Sequence, residues 1–255
     1  MPVLSTWIEA ILSPPVMGGW MALAIVVAVV LTRISAPYGR HVRAGWGPLF
    51  PSAWSWMLME AVSVIVFLIV FAASPHRGPV AWLFVGIYAT HYGYRSFIYP
   101  FLGSSTSAGV PLSVSSMAAG FNVVNGTMVA GALFWSEGGP PPPSVTMAMG
   151  LTLVVAGFAT HVRSDAILRG LRAANGPGSH VPSGFLYRYI SCPNYFGEVL
   201  QWTGFAIMVG HMGGWCFAVW TAANLVPRAL DHHRWYRSTF ADYPPARRAI
   251  IPGVL

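Results

Sequence analysis

Long apolar runs, broken by short polar or Pro/Gly-rich connections, repeat from one end of the chain to the other. Runs near 17–31, 52–73, 80–101, 112–135, 144–162, 194–212 and 215–230 read as seven transmembrane helices. The breaks carry helix-stopping chemistry. Ser74-Pro-His-Arg-Gly-Pro79 separates the second and third runs, and a Ser/Gly-rich stretch, 103–109, follows the third. Glu137-Gly-Gly-Pro-Pro-Pro-Pro143 cannot be helical, Asn175-Gly-Pro-Gly178 stops the helix before it, and Gly213-Gly214 divides the last two runs. The fifth run continues as a basic amphipathic helix to about residue 172. No internal repeat is visible. The expected fold is all-α: one membrane domain, 1–255, a polytopic bundle of seven transmembrane helices.

Composition supports this class. The chain is 55% hydrophobic and 8% charged, against about 25% charged in an ordinary soluble domain. Its net charge of +7 comes from fourteen arginines, with no lysine. The connections after the first, third and fifth runs hold Arg33, Arg40, Arg43, Arg163, Arg169, Arg172 and Arg188. The C-terminal tail adds Arg228, Arg234, Arg237, Arg247 and Arg248, whereas the opposite connections hold Arg77 alone. The positive-inside rule then puts the C-terminus in the cytoplasm and the N-terminus outside. The arginine surplus is thus a topology signal rather than a nucleic-acid footprint, and it is compatible with an anionic cofactor. The first residues lack a basic segment and a small-residue cleavage site, so the first run reads as a retained span. Cys192 and Cys216 show no metal or redox spacing and read as small apolar residues.

Polar residues inside apolar runs need partners, because burying them alone costs several kcal/mol. Asn194, Glu198 and Gln201 lie at i, i+4 and i+7, one helical face, just after Pro193, which suits a first turn. Gln201 reads as the structural member of the three. His161, Asp165, Arg169 and Arg172 form a second stripe. It is either a solvated face of ion pairs or a nucleotide cradle in which Asp165 accepts from a sugar or amide and Arg172 meets phosphate. Glu60, the one acid in the first four runs, must be protonated or paired. Tyr92, Arg95 and Tyr99 share a face of the third run, with Arg95 placed to snorkel or hold a phosphate. His232 and His233 point about 100° apart on a helix and cannot easily share an ion. There is no His-Glu-x-x-His, and no metal is expected. A Gly-x-Gly-x-x-Gly turn, a Walker loop and a Gly-x-Ser-x-Gly elbow are all missing, so any dinucleotide binds outside a Rossmann fold.

The segments His-Val-Arg-Ser-Asp-Ala-Ile-Leu-Arg-Gly-Leu-Arg (161–172), Tyr-Ile-Ser-Cys-Pro-Asn-Tyr-Phe-Gly-Glu (189–198), His-His-Arg-Trp-Tyr (232–236) and Asp-Tyr-Pro-Pro-Ala-Arg-Arg-Ala-Ile-Ile-Pro (242–252) resemble, in combination and order, the C-terminal half of the steroid 5-alpha-reductases. The likeness runs more thinly through His91-Tyr92-Gly-Tyr-Arg95 and Glu60. It implies NADPH-dependent reduction of the 4,5 double bond of a 3-oxo-steroid within a seven-helix bundle. By this resemblance Glu60 and Tyr92 are the pair that grips the substrate ketone. Asp165, Arg172, Asn194, Glu198, His232, Tyr236 and Arg247 correspond to the NADPH-binding set, with Arg169 and Arg228 as neighbours.

Three positions depart from the resembled pattern. His161 stands where the family has asparagine, Gly-Ser-Ser-Thr-Ser (103–107) where it carries Asn and Arg, and Met59 where glutamine is common. The lack of lysine and the compact loops lead to the expectation of a bacterial inner-membrane protein, monomeric, acting on a steroid or steroid-like lipid. Two rivals share some of these features. A membrane methyltransferase of the isoprenylcysteine carboxyl methyltransferase kind would bind S-adenosylmethionine and need no phosphate clamp. A transporter would use Glu60 as a proton relay. The arginine surplus and the Glu60–Tyr92 pair favour the reductase.

Overall fold

The computed structural model describes residues 2–102, 109–176 and 180–255. The 103–107 loop and Pro177-Gly178 lie outside the described residues. The described chain is helical almost throughout: α1 Pro2–Ile11, α2 Pro14–Arg33, α3 Ser52–Ala72, α4 Pro79–Tyr92, α5 Leu112–Phe134, α6 Val145–Asn175, α7 Pro193–Val209 and α8 Met212–Thr239. Four of them, α2, α3, α5 and α6, are long and apolar enough to cross a membrane. Beyond Tyr92 the chain loosens into a π-helical turn, Gly93–Ile98, and then tightens into a 3₁₀ turn, Tyr99–Phe101. A two-residue antiparallel ladder pairs β1, Leu49–Phe50, with β2, Val110–Pro111.

Two boundaries differ from the sequence reading. Residues 2–11 form a helix that hydropathy did not single out, anchored by Ile8, which is buried against Gly131 of α5. The break between α7 and α8 falls at Gly210–His211, not at Gly213-Gly214. Gly210 takes a left-handed φ of 64°, which a side chain resists and glycine adopts freely. The ring of His211 then accepts from the Gly213 amide (3.1 Å) and caps α8, so both glycines of the pair sit inside the helix.

The chain divides into two compact units. The first comprises Met1–Trp20, Ala36–Ala148 and Ala206–Phe217. Here α3 and α5 approach closely: a Cβ on Gly126 would lie 3.0 Å from the Ser63 carbonyl. Polar side chains in this apolar contact are tied to backbone or to each other. Asn122 donates to the Met59 carbonyl (2.7 Å), Trp135 to the Val70 carbonyl (3.1 Å), and Trp20 to Asn125 Oδ1 (3.0 Å). Phe67 stacks on Tyr88 with ring centroids 4.0 Å apart and meets Phe134 edge-on.

The second unit comprises Met21–Ser35, Met149–Phe205 and Ala218–Leu255. Its frame is an antiparallel crossing of α6 and α7 at which glycines replace side chains. A Cβ on Gly157 would lie 2.5 Å from the Gly197 carbonyl, one on Gly197 2.6 Å from the Gly157 carbonyl, and one on Gly204 2.6 Å from the Gly150 carbonyl. Small residues at such a seam let helix backbones touch. The C-terminal segment then runs alongside 189–192 in a short parallel pairing. Arg248 N donates to Tyr189 O (2.9 Å), Ser191 N to Arg248 O (2.8 Å) and Cys192 N to Ala249 O (3.1 Å). Cys192, Ala229 and Ile250 close a small core beneath it, packed by Tyr195, Phe196, Val199 and Val226.

The seam predicts asymmetric glycine substitutions. Gly197→Ala forces α6 and α7 apart and lowers stability by about 1–3 kcal/mol, the cost of overpacking. Gly170→Ala, where an added Cβ meets nothing within 4 Å, is neutral or raises stability by a fraction of a kcal/mol through helix propensity. Thermal unfolding of the two variants in detergent checks the contrast.

Candidate active site

The first unit holds one polar constellation, at the end of α4 facing α3. Tyr92, the last residue of α4, is buried. Its ring lies 4.7 Å from that of Tyr88, one turn earlier. Ser63 and Tyr88 share a 2.7 Å hydrogen bond between themselves. Ser63 and Tyr88 spend one proton on their shared bond, so the other proton of the pair can go to the Tyr92 oxygen while Tyr92 donates outward. Glu60, on α3, is half-buried and close enough to act electrostatically on both tyrosines.

The sequence left Glu60 as either protonated or paired. The structure sets a cation nearby: Arg95 Nη2 stands 3.9 Å from Glu60 Oε1. Arg95 lies in the π-helical turn, whose wider winding shifts residues off the regular helical spacing. Its guanidinium also sits over the rings of Trp56 (5.7 Å) and Tyr99 (5.3 Å). Arg95 thus rests against a carboxyl and two aromatic faces rather than snorkelling.

The second unit gathers the other candidate residues into three linked groups. The glycine seam sets the His161–Asp165 turn of α6 against the first turns of α7. Asn194 donates to Asp165 Oδ1 (3.2 Å). His161, buried between the helices, faces Asp165 Oδ2 through Nε2 (3.4 Å), and the Asn194 carbonyl (3.3 Å) and Glu198 Oε2 (3.6 Å) through Nδ1. The stripes 161–165 and 194–198 are one cluster, with Gln201 buried beyond it. Arg169 and Arg172 lie half-buried, four and seven residues further along α6.

Tyr195 is the pivot of the next group. Arg228 Nε donates to its hydroxyl (3.1 Å), and His232 Nε2 lies 3.4 Å from the same oxygen. Its neighbour His233 turns instead to Ser191, with Nδ1 2.6 Å from the serine oxygen. The two adjacent histidines thus serve different partners. In the third group Tyr236 stacks on Tyr243 at 5.3 Å and 8°, and Arg247 lies over the Tyr243 ring at 5.0 Å. Arg247 is only 6% exposed, yet its Nε and Nη1 have no hydrogen-bond partner among the described residues.

An almost fully buried guanidinium with two unsatisfied donors is costly unless an anion joins it. The donor and acceptor set around it suits a phosphorylated nucleotide bearing an amide. Arg247 offers N–H groups to phosphate, and Asp165, Asn194 and Glu198 offer acceptors and a donor to amide or ribose groups. Sequence reading named these residues but not Ser63, Tyr88, Ser191, Tyr195 or Tyr243. Tyr88 stands four residues before Tyr92, a spacing that could have marked it. Ser191, Tyr195 and Tyr243 depend on contacts across 33 to 52 residues, which no local spacing reveals.

Comparison with known proteins agrees with the resemblance. A family model described as 3-oxo-5-alpha-steroid 4-dehydrogenase matches residues 108–255. Steroid 5-alpha-reductase DET2 of Gossypium hirsutum is 34% identical over 249 residues, covering 91% of this chain and 93% of that protein. The 3-oxo-5-alpha-steroid 4-dehydrogenase 1 of Bos taurus is 33% identical over 241 residues (91% and 92%), and that of Homo sapiens 32% over 227 residues (86% of each). The methyltransferase reading finds no support among these relatives.

Titration of His233 gives the second unit a pH dependence. Burial, followed by the charges of Arg237, Arg248 and Arg247, holds the ring's pKa below its ordinary 6.5. The unfolded chain therefore takes up this proton before the folded one does. The stabilising contribution is complete above pH 6.5 and is lost as the pH falls below it. Thermal stability should drop from about pH 7.5 to about pH 5.5, and His233→Asn should flatten part of that drop.

Proposed function

This chain belongs to the 3-oxo-5-alpha-steroid 4-dehydrogenase family, the steroid 5-alpha-reductases, and is an oxidoreductase; from that premise we propose that it reduces the 4,5 double bond of 3-oxo-4-ene steroids to 5-alpha-steroids with NADPH. The observation that carries the reading is the Glu60–Tyr92 constellation: a carboxyl and a buried, hydroxyl-backed phenol inside an apolar unit.

When bound, NADPH supplies the hydride that arrives at C5. Negative charge then builds on the C3 oxygen, and donors aimed at that oxygen lower the barrier. Tyr92 is one such donor. As its proton is drawn toward the ketone, the hydrogen bond that the Ser63–Tyr88 pair offers to its oxygen strengthens. Protonated Glu60 is the second donor, and Arg95, 3.9 Å away, stabilises the carboxylate as the acid proton shifts toward the substrate. A proton delivered to C4 completes the saturated ketone. The apolar residues around the constellation hold the steroid skeleton and exclude water.

Asp165, Asn194 and Glu198 are assigned to the nicotinamide side of the cofactor. Arg169, Arg172, Arg228, His232, Tyr236 and Arg247 are assigned to its nucleotide and phosphate groups. The unsatisfied donors of buried Arg247 support the phosphate assignment. Seven apolar runs support seven spans, and the arginine distribution supports an outside N-terminus and a cytoplasmic C-terminus, with the cofactor residues on the cytoplasmic face of the membrane (the inner membrane in a bacterium). The chain supplies both the substrate and the cofactor residues, as a monomeric enzyme requires.

Purified protein in detergent, given NADPH and progesterone or testosterone, should consume nicotinamide absorbance and release the 5-alpha product. Absence of turnover with any enone, together with tight S-adenosylmethionine binding, would overturn the reading. Glu60→Gln and Tyr92→Phe should each lower turnover at least about 10- to 100-fold, on the order of one lost oxyanion donor, while NADPH still binds. Unchanged turnover in both removes their assigned role. Arg172→Ala should raise the NADPH concentration needed for half-maximal rate, and an unaltered requirement would place the phosphate contact elsewhere.

A further inference from the structure

Ser191 is a hub. It is 3% exposed, and its oxygen lies 2.6 Å from His233 Nδ1, 2.6 Å from the Tyr243 hydroxyl and 3.0 Å from the Arg248 carbonyl. A serine hydroxyl has one proton and two lone pairs. The Arg248 carbonyl can only accept, so the serine proton goes there. Both lone pairs then accept, one from the Tyr243 hydroxyl and one from His233 Nδ1–H. All three bonds are satisfied at once only when His233 carries its proton on Nδ1.

This accounting joins three separate stretches of chain: residue 191 before α7, residue 233 on α8, and 243–248 in the tail. What the tail carries is Arg247. Its guanidinium rests over the Tyr243 ring, and that ring stacks on Tyr236 and is pinned by its hydroxyl to Ser191. The backbone of the next residue, Arg248, is held by the same serine through both its amide nitrogen and its hydroxyl. Arg247 Nε and Nη1 have no hydrogen-bond partner among the described residues, so these contacts are what orient the guanidinium. A long, flexible side chain loses rotamer freedom when fixed. A site that fixes it in advance binds its anion more tightly.

We propose that Ser191, His233 and Tyr243 form a positioning bracket that holds the Arg247 guanidinium ready for a phosphate group of the cofactor. The proposal rests on the reading of Arg247 as a cofactor contact. The bracket residues themselves touch no phosphate. They act through the Tyr243 ring and the 247–248 backbone.

The test measures NADPH affinity of the purified protein by quenching of tryptophan fluorescence, with steady-state kinetics beside it. Arg247→Ala should weaken NADPH binding; if it binds as wild type does, Arg247 is not the phosphate contact and the underlying assignment fails. With that established, Ser191→Ala and Tyr243→Phe should each weaken NADPH binding by about 5- to 10-fold, the scale of one lost hydrogen bond. The loss should read in KM for NADPH rather than in kcat. Ser191→Ala combined with Arg247→Ala should bind no more weakly than Arg247→Ala alone, because the bracket works only through that guanidinium. His233→Asn, whose amide nitrogen stands where Nδ1 does, should retain affinity that His233→Leu loses. Wild-type affinity in Ser191→Ala and Tyr243→Phe, beside a weakened Arg247→Ala, overturns the bracket and leaves the cofactor site standing. If Ser191→Ala does not fold, Tyr243→Phe, which keeps the ring and its stack, decides the matter by the same measure.

Discussion

Two helix backbones touch only where side chains are missing. The crossing of α6 and α7 meets that condition at Gly157, Gly197 and Gly204, where an added Cβ would fall within 2.6 Å of a facing carbonyl. The polar cluster between these two helices depends on this closeness. It brings Asp165 within hydrogen-bonding reach of Asn194, and it wedges His161 between two carboxylates. Set further apart, the same side chains would each sit in an apolar contact with unmet hydrogen-bonding needs, at a cost of several kcal/mol per group.

A second constraint runs through both units: polar atoms in an apolar setting must find partners. The chain meets it with hydroxyl sets rather than with many ion pairs. Ser63 and Tyr88 serve one another in the first unit. Ser191, His233 and Tyr243 do so in the second. Hydroxyls suit this task because each is donor and acceptor and can rotate to fit. Buried Arg247 keeps two donors without a hydrogen-bond partner among the described residues, and an anion has something to gain there.

Arg95 illustrates how local winding alters a role. On a regular helix it shares a face with Tyr92 and Tyr99 and reads as an interfacial cation. The π-helical turn Gly93–Ile98 instead leaves it beside Glu60 and over Trp56. Glu60 is thereby neither an isolated acid nor a tightly bonded ion pair. At that distance its carboxyl gains from the nearby positive charge.

Much of this protein was legible in its residues alone. Hydropathy and the Pro/Gly breaks marked the all-helical class, because apolar periodicity and helix-stopping chemistry are local. The family was legible because its motifs keep their residues in order over the last hundred positions, and the comparisons show that membership directly. The stripes 161–172 and 194–201 were visible as faces, since helical spacing is a property of the sequence. The partners of those faces were decided only by tertiary structure. Nothing local says that Gly157 meets Gly197, that Tyr195 collects Arg228 and His232, or that Ser191 reaches His233 and Tyr243, each 42 or more residues away. The α7–α8 break moved to Gly210 for a related reason. Two adjacent glycines look like a stop in isolation, but a cap from His211 lets the helix begin before them.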